Sequence, residues 1–100
     1  MALYVGLMSG TSLDGIDAVL VDFGSQAGPP VRVRGHVHAP FVAGLRAELL
    51  ALNAPGEDEL HRAALAGNAL ARAYAAAVTE LLLAASTAAR EVRAIGAHGQ

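Results

Sequence analysis

The sequence predicts an α/β fold, a mixed sheet with helices packed against it. Three observations carry that prediction. Two apolar runs, Ala2 to Met8 and Gly15 to Phe23, flank a turn rich in glycine and hydroxyls. A third run, Val31 to His38, alternates apolar and polar residues. A long alanine-rich stretch with helical spacing then leads to a last apolar run, Val92 to Ala97. Period-two runs bounded by turn residues read as strands, and a period near 3.6 reads as helix.

The elements follow in order. Ala2 to Met8 reads as a buried strand, apolar on both faces. Gly15 to Phe23 is a second strand, rich in β-formers (Val19, Leu20, Val21, Phe23), and Gly24-Ser25 stops it. The connection between them is longer than a two-residue hairpin, so it has room for a ligand. Ser25 to Pro30 is a polar Gly/Pro loop. In the third strand Val31, Val33, Gly35 and Val37 share one face, and Arg32, Arg34, His36 and His38 the other. That alternation predicts a half-solvated strand at the sheet edge. Pro40 ends the meander.

Leu45, Leu49 and Leu52 repeat at helical spacing until Asn53-Ala54-Pro55-Gly56 breaks the helix. Glu57-Asp58-Glu59 places negative charge where a first helical turn favours it. The longest element runs from about Asp58 to Ala85, with Leu60, Ala64, Gly67, Ala71, Tyr74, Val78 and Leu81 as its apolar face. Gly67 and the alanines would permit close approach of a neighbour. A coiled coil competes poorly, because small residues fill most of the seam. Val92 to Ala97 is the fourth strand, with His98-Gly99-Gln100 at its C-terminal end. A crossover to that strand should be right-handed if it runs parallel to its neighbour.

Composition narrows the function. One hundred residues suggest one domain with a modest core. A net charge of −2 leaves no electrostatic footprint for nucleic acid or an anionic membrane. Cysteine is absent, which excludes disulfides and thiolate metal sites. The best candidate for a membrane span, Val78 to Ala89, is broken by Thr79, Glu80, Ser86 and Thr87. The short apolar start lacks the basic region of a signal peptide. A cytoplasmic, soluble protein is the expectation.

The chemistry concentrates in Gly6-Leu7-Met8-Ser9-Gly10-Thr11-Ser12-Leu13-Asp14-Gly15-Ile16-Asp17. Small and hydroxylated residues at a strand-to-strand turn let backbone N–H groups converge on an anion. Asp14 and Asp17 cannot bind a phosphate directly. They make sense if a divalent cation or its waters stands between them and phosphate oxygens. The bland reading is an ordinary Gly/Asp turn that only reverses the chain. Asp17, inside the second strand, could equally be a structural partner of the turn's N–H groups.

His98-Gly99-Gln100 is either a strand-end loop with a satisfied histidine or a ligand contact, since ligands in open α/β sheets sit beyond strand C-termini. His36 and His38 stand two apart on one strand face, a spacing compatible with metal ligation, but no third ligand is visible nearby in sequence. His61, Arg62, Arg72, Arg90 and Arg93 read as solvated surface, with Glu80 either exposed or a partner of Arg72.

The strand order and the turn together resemble the first lobe of the actin-like (ribonuclease H-like) sugar-kinase ATPase fold. The string Met8-Ser9-Gly10-Thr11-Ser12-Leu13-Asp14-Gly15-Ile16-Asp17 is similar to the signature of the anhydro-N-acetylmuramic acid kinases. Ile95-Gly96-Ala97-His98-Gly99-Gln100 resembles that family's second string, with Ala97 where Ser or Cys is usual. The resemblance spans the whole chain.

It implies an enzyme that uses ATP and magnesium to convert 1,6-anhydro-N-acetylmuramic acid into N-acetylmuramic acid 6-phosphate in cell-wall sugar recycling. Water would open the anhydro bridge while the freed 6-oxygen attacks the γ-phosphoryl group. Gly10, Thr11, Ser12, Leu13, Asp14, Gly15, Ile16 and Asp17 would form the nucleotide site, with backbone N–H groups of Gly10 to Leu13 on the β- and γ-phosphates. Asp14 or Asp17 would hold the metal's hydration shell. His98, Gly99 and Gln100 would contact the sugar. The family's catalytic carboxylate lies downstream, in a Gly-Asp-Phe-Arg stretch, so the base is expected beyond Gln100. Residues 1–100 would be the N-terminal part of the nucleotide-binding lobe, inactive alone, from a protein that is a homodimer at full length. The alternative from another class is a non-catalytic ATP-sensing module that keeps the turn for binding only.

Overall fold

The computed structural model describes residues 1–10, 13–24 and 31–98. Strands β1 (Leu3–Ser9), β2 (Gly15–Asp22) and β3 (Arg32–Pro40) precede helices α1 (Ala43–Ala51) and α2 (Glu59–Ala84). A short 3₁₀ turn, Ala89–Glu91, leads into β4 (Val92–Ala97). The four strands form one sheet in the order β3-β2-β1-β4. The meander is antiparallel, Leu3 facing Asp22 and Ser9 facing Ile16, and β4 joins β1 in parallel. The predicted mixed sheet with packed helices is the fold observed, and β3 is an edge strand as its alternation implies.

One face of the sheet carries the core. Leu3, Val5 and Leu7 of β1 and Ile16, Ala18 and Leu20 of β2 are buried, in one cluster with Ala77, Leu81 and Leu82 of α2. The other face is only half covered. Tyr4, Gly6, Asp17, Val19 and Val21 are partly exposed there, and Met8 is 54% exposed. The expectation that β1 is buried on both faces therefore holds for one face only. At the lower end of β2, buried Asp22 accepts hydrogen bonds from the backbone N–H groups of Ala2 (3.0 Å) and Gly24 (2.9 Å).

Two sequence patterns mislead about facing. In β3 the register slips, so that Leu20 faces Gly35 while Val21 faces Val33, and Arg34 is the extra residue. Such a bulge breaks the two-residue period. Gly35, Val37 and Ala39 lean toward the core, whereas Val31 and Val33 are exposed rather than sharing their face.

In α2 the buried positions are Ala66, Ala77, Leu81 and Leu82, with Leu70, Ala73, Tyr74 and Val78 packed beside them. Leu60, proposed for the apolar face, is 90% exposed, Ala64 and Ala71 are also exposed, and a Cβ on Gly67 would meet nothing within 4 Å. Alanine on every side of this helix leaves its hydrophobic period ambiguous, so the packing partner decides the face. Arg62 is likewise not simply solvated. Its Nε donates to Glu48 Oε1 of α1 at 2.6 Å, and it donates to the carbonyl of Glu57 at 3.1 Å.

Candidate functional site

The parallel arrangement of β1 and β4 puts their C-terminal ends at the same edge of the sheet. The turn that begins at Gly10 leaves one of them, and His98 leaves the other. Ladder bonding runs to that edge, where the His98 backbone N–H donates to the Leu7 carbonyl at 2.9 Å. The two sequence strings are thus neighbours in space, 88 positions apart between Gly10 and His98. Thr11, Ser12, Gly99 and Gln100 lie outside the described residues.

The turn is shaped by Leu13. Its backbone N–H donates to the Gly10 carbonyl at 3.0 Å, tying the two ends of the connection together. Leu13 has φ 55°, in the left-handed region, while its side chain is only 1% exposed. A bulky residue there is strained, and the strain persists because the surrounding structure demands it. Here the demand is burial: the side chain plugs the core beneath the turn, and the backbone bends over it.

Two further contacts pin the turn, one from α1 and one from the residue just after β3. Arg46 Nε donates to the Leu13 carbonyl at 3.1 Å, and the Phe41 N–H donates to the Asp14 carbonyl at 3.4 Å.

The remaining candidates divide by position. Asp14 is exposed beside the turn. Gly15 is buried where β2 crosses closest to β3, since a Cβ there would stand 2.5 Å from the Ala39 carbonyl oxygen and 2.8 Å from Pro40 Cα. The backbone approach itself requires glycine at that position. Ile16 is a core residue, 1% exposed, so only its backbone is available to a ligand.

Asp17 projects from the half-open face of the sheet. Its Oδ1 lies 3.1 Å from His36 Nε2 and 3.0 Å from His38 Nδ1. The hydrogen bonds from His38 and His36 hold its carboxyl below the usual carboxylate range. The structure thus unites two features that the sequence kept apart, a histidine pair on β3 and an aspartate on β2. Among the described residues, no group of three or more His, Asp or Glu is arranged to hold a metal ion. The described Asp17 bonds run to these imidazoles rather than to the turn.

Sequence reasoning missed two residues at this edge. Arg46 carries no signal in an unremarkable helix start. Tyr74 was placed on an apolar helix face, but its hydroxyl reaches Ser9 Oγ at 3.0 Å and donates to the His98 carbonyl at 2.9 Å. A mainly apolar cavity of about 330 Å³ lies nearby, lined by Ile16, Phe41, Leu45 and alanines of α2, with Arg72 and Glu80 as the charged residues of its wall. Among the described residues, no helix is long and apolar enough to cross a membrane.

A family model described as anhydro-N-acetylmuramic acid kinase matches residues 2–100. The chain is 61% identical over 98 residues to the anhydro-N-acetylmuramic acid kinase of Variovorax paradoxus (strain S110), covering 98% of this chain and 25% of the relative. It is 60% identical over 98 residues to the protein of the same name from Albidiferax ferrireducens, covering 98% and 24%. With that from Nitrosomonas europaea the identity is 53% over 97 residues, covering 97% and 26%. The chain spans about a quarter of the length of these relatives.

Proposed function

The chain belongs to the anhydro-N-acetylmuramic acid kinase family, and on that premise we propose that it forms the N-terminal part of the nucleotide-binding lobe of an enzyme that opens the 1,6-anhydro bridge of anhydro-N-acetylmuramic acid and phosphorylates the freed 6-hydroxyl. The observation that carries this reading is the shared edge: the turn beginning at Gly10 and the strand end at His98 leave adjacent parallel strands. A nucleotide held on one and a sugar held on the other would have their reacting ends at the same place.

Phosphoryl transfer asks a protein mostly for positioning and charge neutralisation. The turn is suited to both. Leu13 is anchored by its buried side chain and by Arg46 on its carbonyl, and its N–H is committed to the Gly10 carbonyl, so the N–H groups of Gly10, Thr11 and Ser12 would face the β- and γ-phosphates, with Thr11 and Ser12 adding hydroxyl donors. Magnesium keeps several waters and binds through one or two carboxylates plus substrate phosphates. Asp14 fits that chemistry, exposed on a backbone that Phe41 pins. At Asp17 a cation would compete with two imidazoles for Oδ1. Bound magnesium would offset phosphate charge as the γ-phosphoryl group moves.

His98, Gly99 and Gln100 would line the sugar side. The residue that activates the hydrolytic water is assigned to the longer protein, in a Gly-Asp-Phe-Arg stretch downstream. Cell-wall sugar recycling in the cytoplasm and a homodimeric full-length enzyme complete the proposal.

The test is the full-length protein with ATP, magnesium and the anhydro sugar. Both bridge hydrolysis and a 6-phosphate product are expected. Inertness toward that sugar, with activity on another hexose, would overturn the assignment. Asp14→Ala and Thr11→Ala should each lower turnover at least about a hundredfold while circular dichroism stays unchanged, the scale of lost electrostatic stabilisation at a transferring group. Near-normal turnover in both would remove the turn from the reaction.

A further inference from the structure

We propose that Tyr74 is a positioning residue, a strut whose single hydroxyl locks the turn at the end of β1 to the His98 strand end of β4. The proposal rests on the functional reading above only for its effect on turnover. Its structural content stands apart.

The bonds assign their own directions. A phenol has one proton, and Tyr74 gives it to the His98 carbonyl at 2.9 Å. Its 3.0 Å contact with Ser9 Oγ must then be a bond that the serine hydroxyl donates and the phenol oxygen accepts. The result is a directional chain: Ser9 hydroxyl to Tyr74 hydroxyl to His98 carbonyl.

Its placement matters because Ser9 is the last residue of β1 and His98 the first beyond β4. A β1–β4 ladder bond runs from the His98 N–H to the Leu7 carbonyl. Beside it, the phenol joins Ser9 to His98 through side-chain bonds. Ser9 is 3% exposed, so its hydroxyl cannot trade this network for bulk water without cost.

The strut stands on α2, a 26-residue helix whose later turns are seated in the core through Ala77, Leu81 and Leu82. A rigid helix therefore sets the spacing between the two halves of the site. Misplacement of reacting groups by about 1 Å can cost a hundredfold in rate, so a fixed spacing is worth building.

The experiment uses the full-length protein and reads two backbone amides by hydrogen exchange. Leu13 N–H, bonded to Gly10, reports on the turn, and His98 N–H, bonded to Leu7, reports on the strand end. Tyr74→Phe keeps the ring and removes the strut. It is expected to speed exchange at both amides about tenfold, the loss of roughly one hydrogen bond, while amides of β2 stay unchanged. Ser9→Ala removes the first link and keeps the Tyr74 bond to the His98 carbonyl. It should loosen Leu13 and leave His98 protected, and it keeps the test sharp if Tyr74→Phe folds poorly.

Unchanged exchange at both amides in Tyr74→Phe, or a change at one end only, would overturn the strut. Turnover gives the second readout: kcat should fall about tenfold or more, with the KM values for ATP and sugar each within about threefold, as expected when positioning rather than binding is lost. A kcat loss below twofold would overturn the positioning role. Should the wild-type protein prove inert toward the sugar, the functional reading fails, and the exchange data still judge the strut.

Discussion

Leu13 shows how a single residue can serve the core and a surface turn together. Its side chain is sealed in the sheet's covered side while its backbone takes the left-handed conformation that most residues avoid. Truncation should therefore be costly. Leu13→Ala is expected to lower unfolding free energy by about 2–5 kcal/mol, the range for a buried leucine, measured by urea denaturation. A loss under about 1 kcal/mol would mean that the side chain is not holding the turn. Asp22 offers a second residue-level test, by pH. The Gly24 and Ala2 backbone N–H groups, with the N-terminal amino group and Arg34 nearby, hold its carboxyl below the usual range. A depressed folded-state pKa contributes stability above the unfolded value of about 3.9, and that contribution disappears as pH falls through the lower folded value. Asp22→Asn should melt below wild type at neutral pH, and the two melting curves should converge below about pH 4. A constant gap down to pH 2 would contradict the assignment.

Elements show what could and could not be inferred from residue order. The three-strand meander, the helical crossover and the returning strand were all legible, because β-branched runs and turn residues mark them strongly. The facing of α2 was not, since alanine contributes little to a hydrophobic period and the sheet alone decides which alanines are buried. The same holds at the site. Gly10, Asp14 and His98 could be singled out from their strings. Arg46 and Tyr74 could not, because an arginine in a first helical turn and a tyrosine on an apolar face are common. The Asp17 pair with His36 and His38 depends on strand register, which only the folded sheet supplies. Gly15 tests that register. A methyl group there meets the backbone of Ala39 and Pro40, which cannot swing aside like a side chain. Gly15→Ala should destabilise by about 1–3 kcal/mol, the usual cost of overpacking, and shift the amide resonances of Ala39 and Pro40's neighbours in an NMR spectrum. Wild-type stability would show that β3 sits farther from β2 than the structure places it.

At the scale of the whole molecule, the chain presents one covered sheet face, one half-open face and an edge that gathers both signature strings. It spans about a quarter of its relatives, so the proposed site is a partial one. Calorimetric titration of ATP with magnesium into the isolated 100 residues should show weak binding or none, because under the proposed function this stretch contributes only the phosphate contacts of a larger site. Micromolar or tighter binding would mean that these residues form a complete nucleotide site by themselves.

The position of β1 also constrains the order in which the protein can be made. It lies between β2 and β4, yet one neighbour follows almost at once and the other comes last, Leu3 pairing with both Asp22 and Val92. A ribosome adding about 5–20 residues per second would leave one side of β1 without its partner for on the order of ten seconds. An unpaired strand edge is a template for association with other chains. The helices α1 and α2 emerge during that interval, form by local contacts and can settle on the meander before β4 arrives. The edge where β1 and β4 end is therefore assembled after the meander, closing only when β4 slides in beside β1.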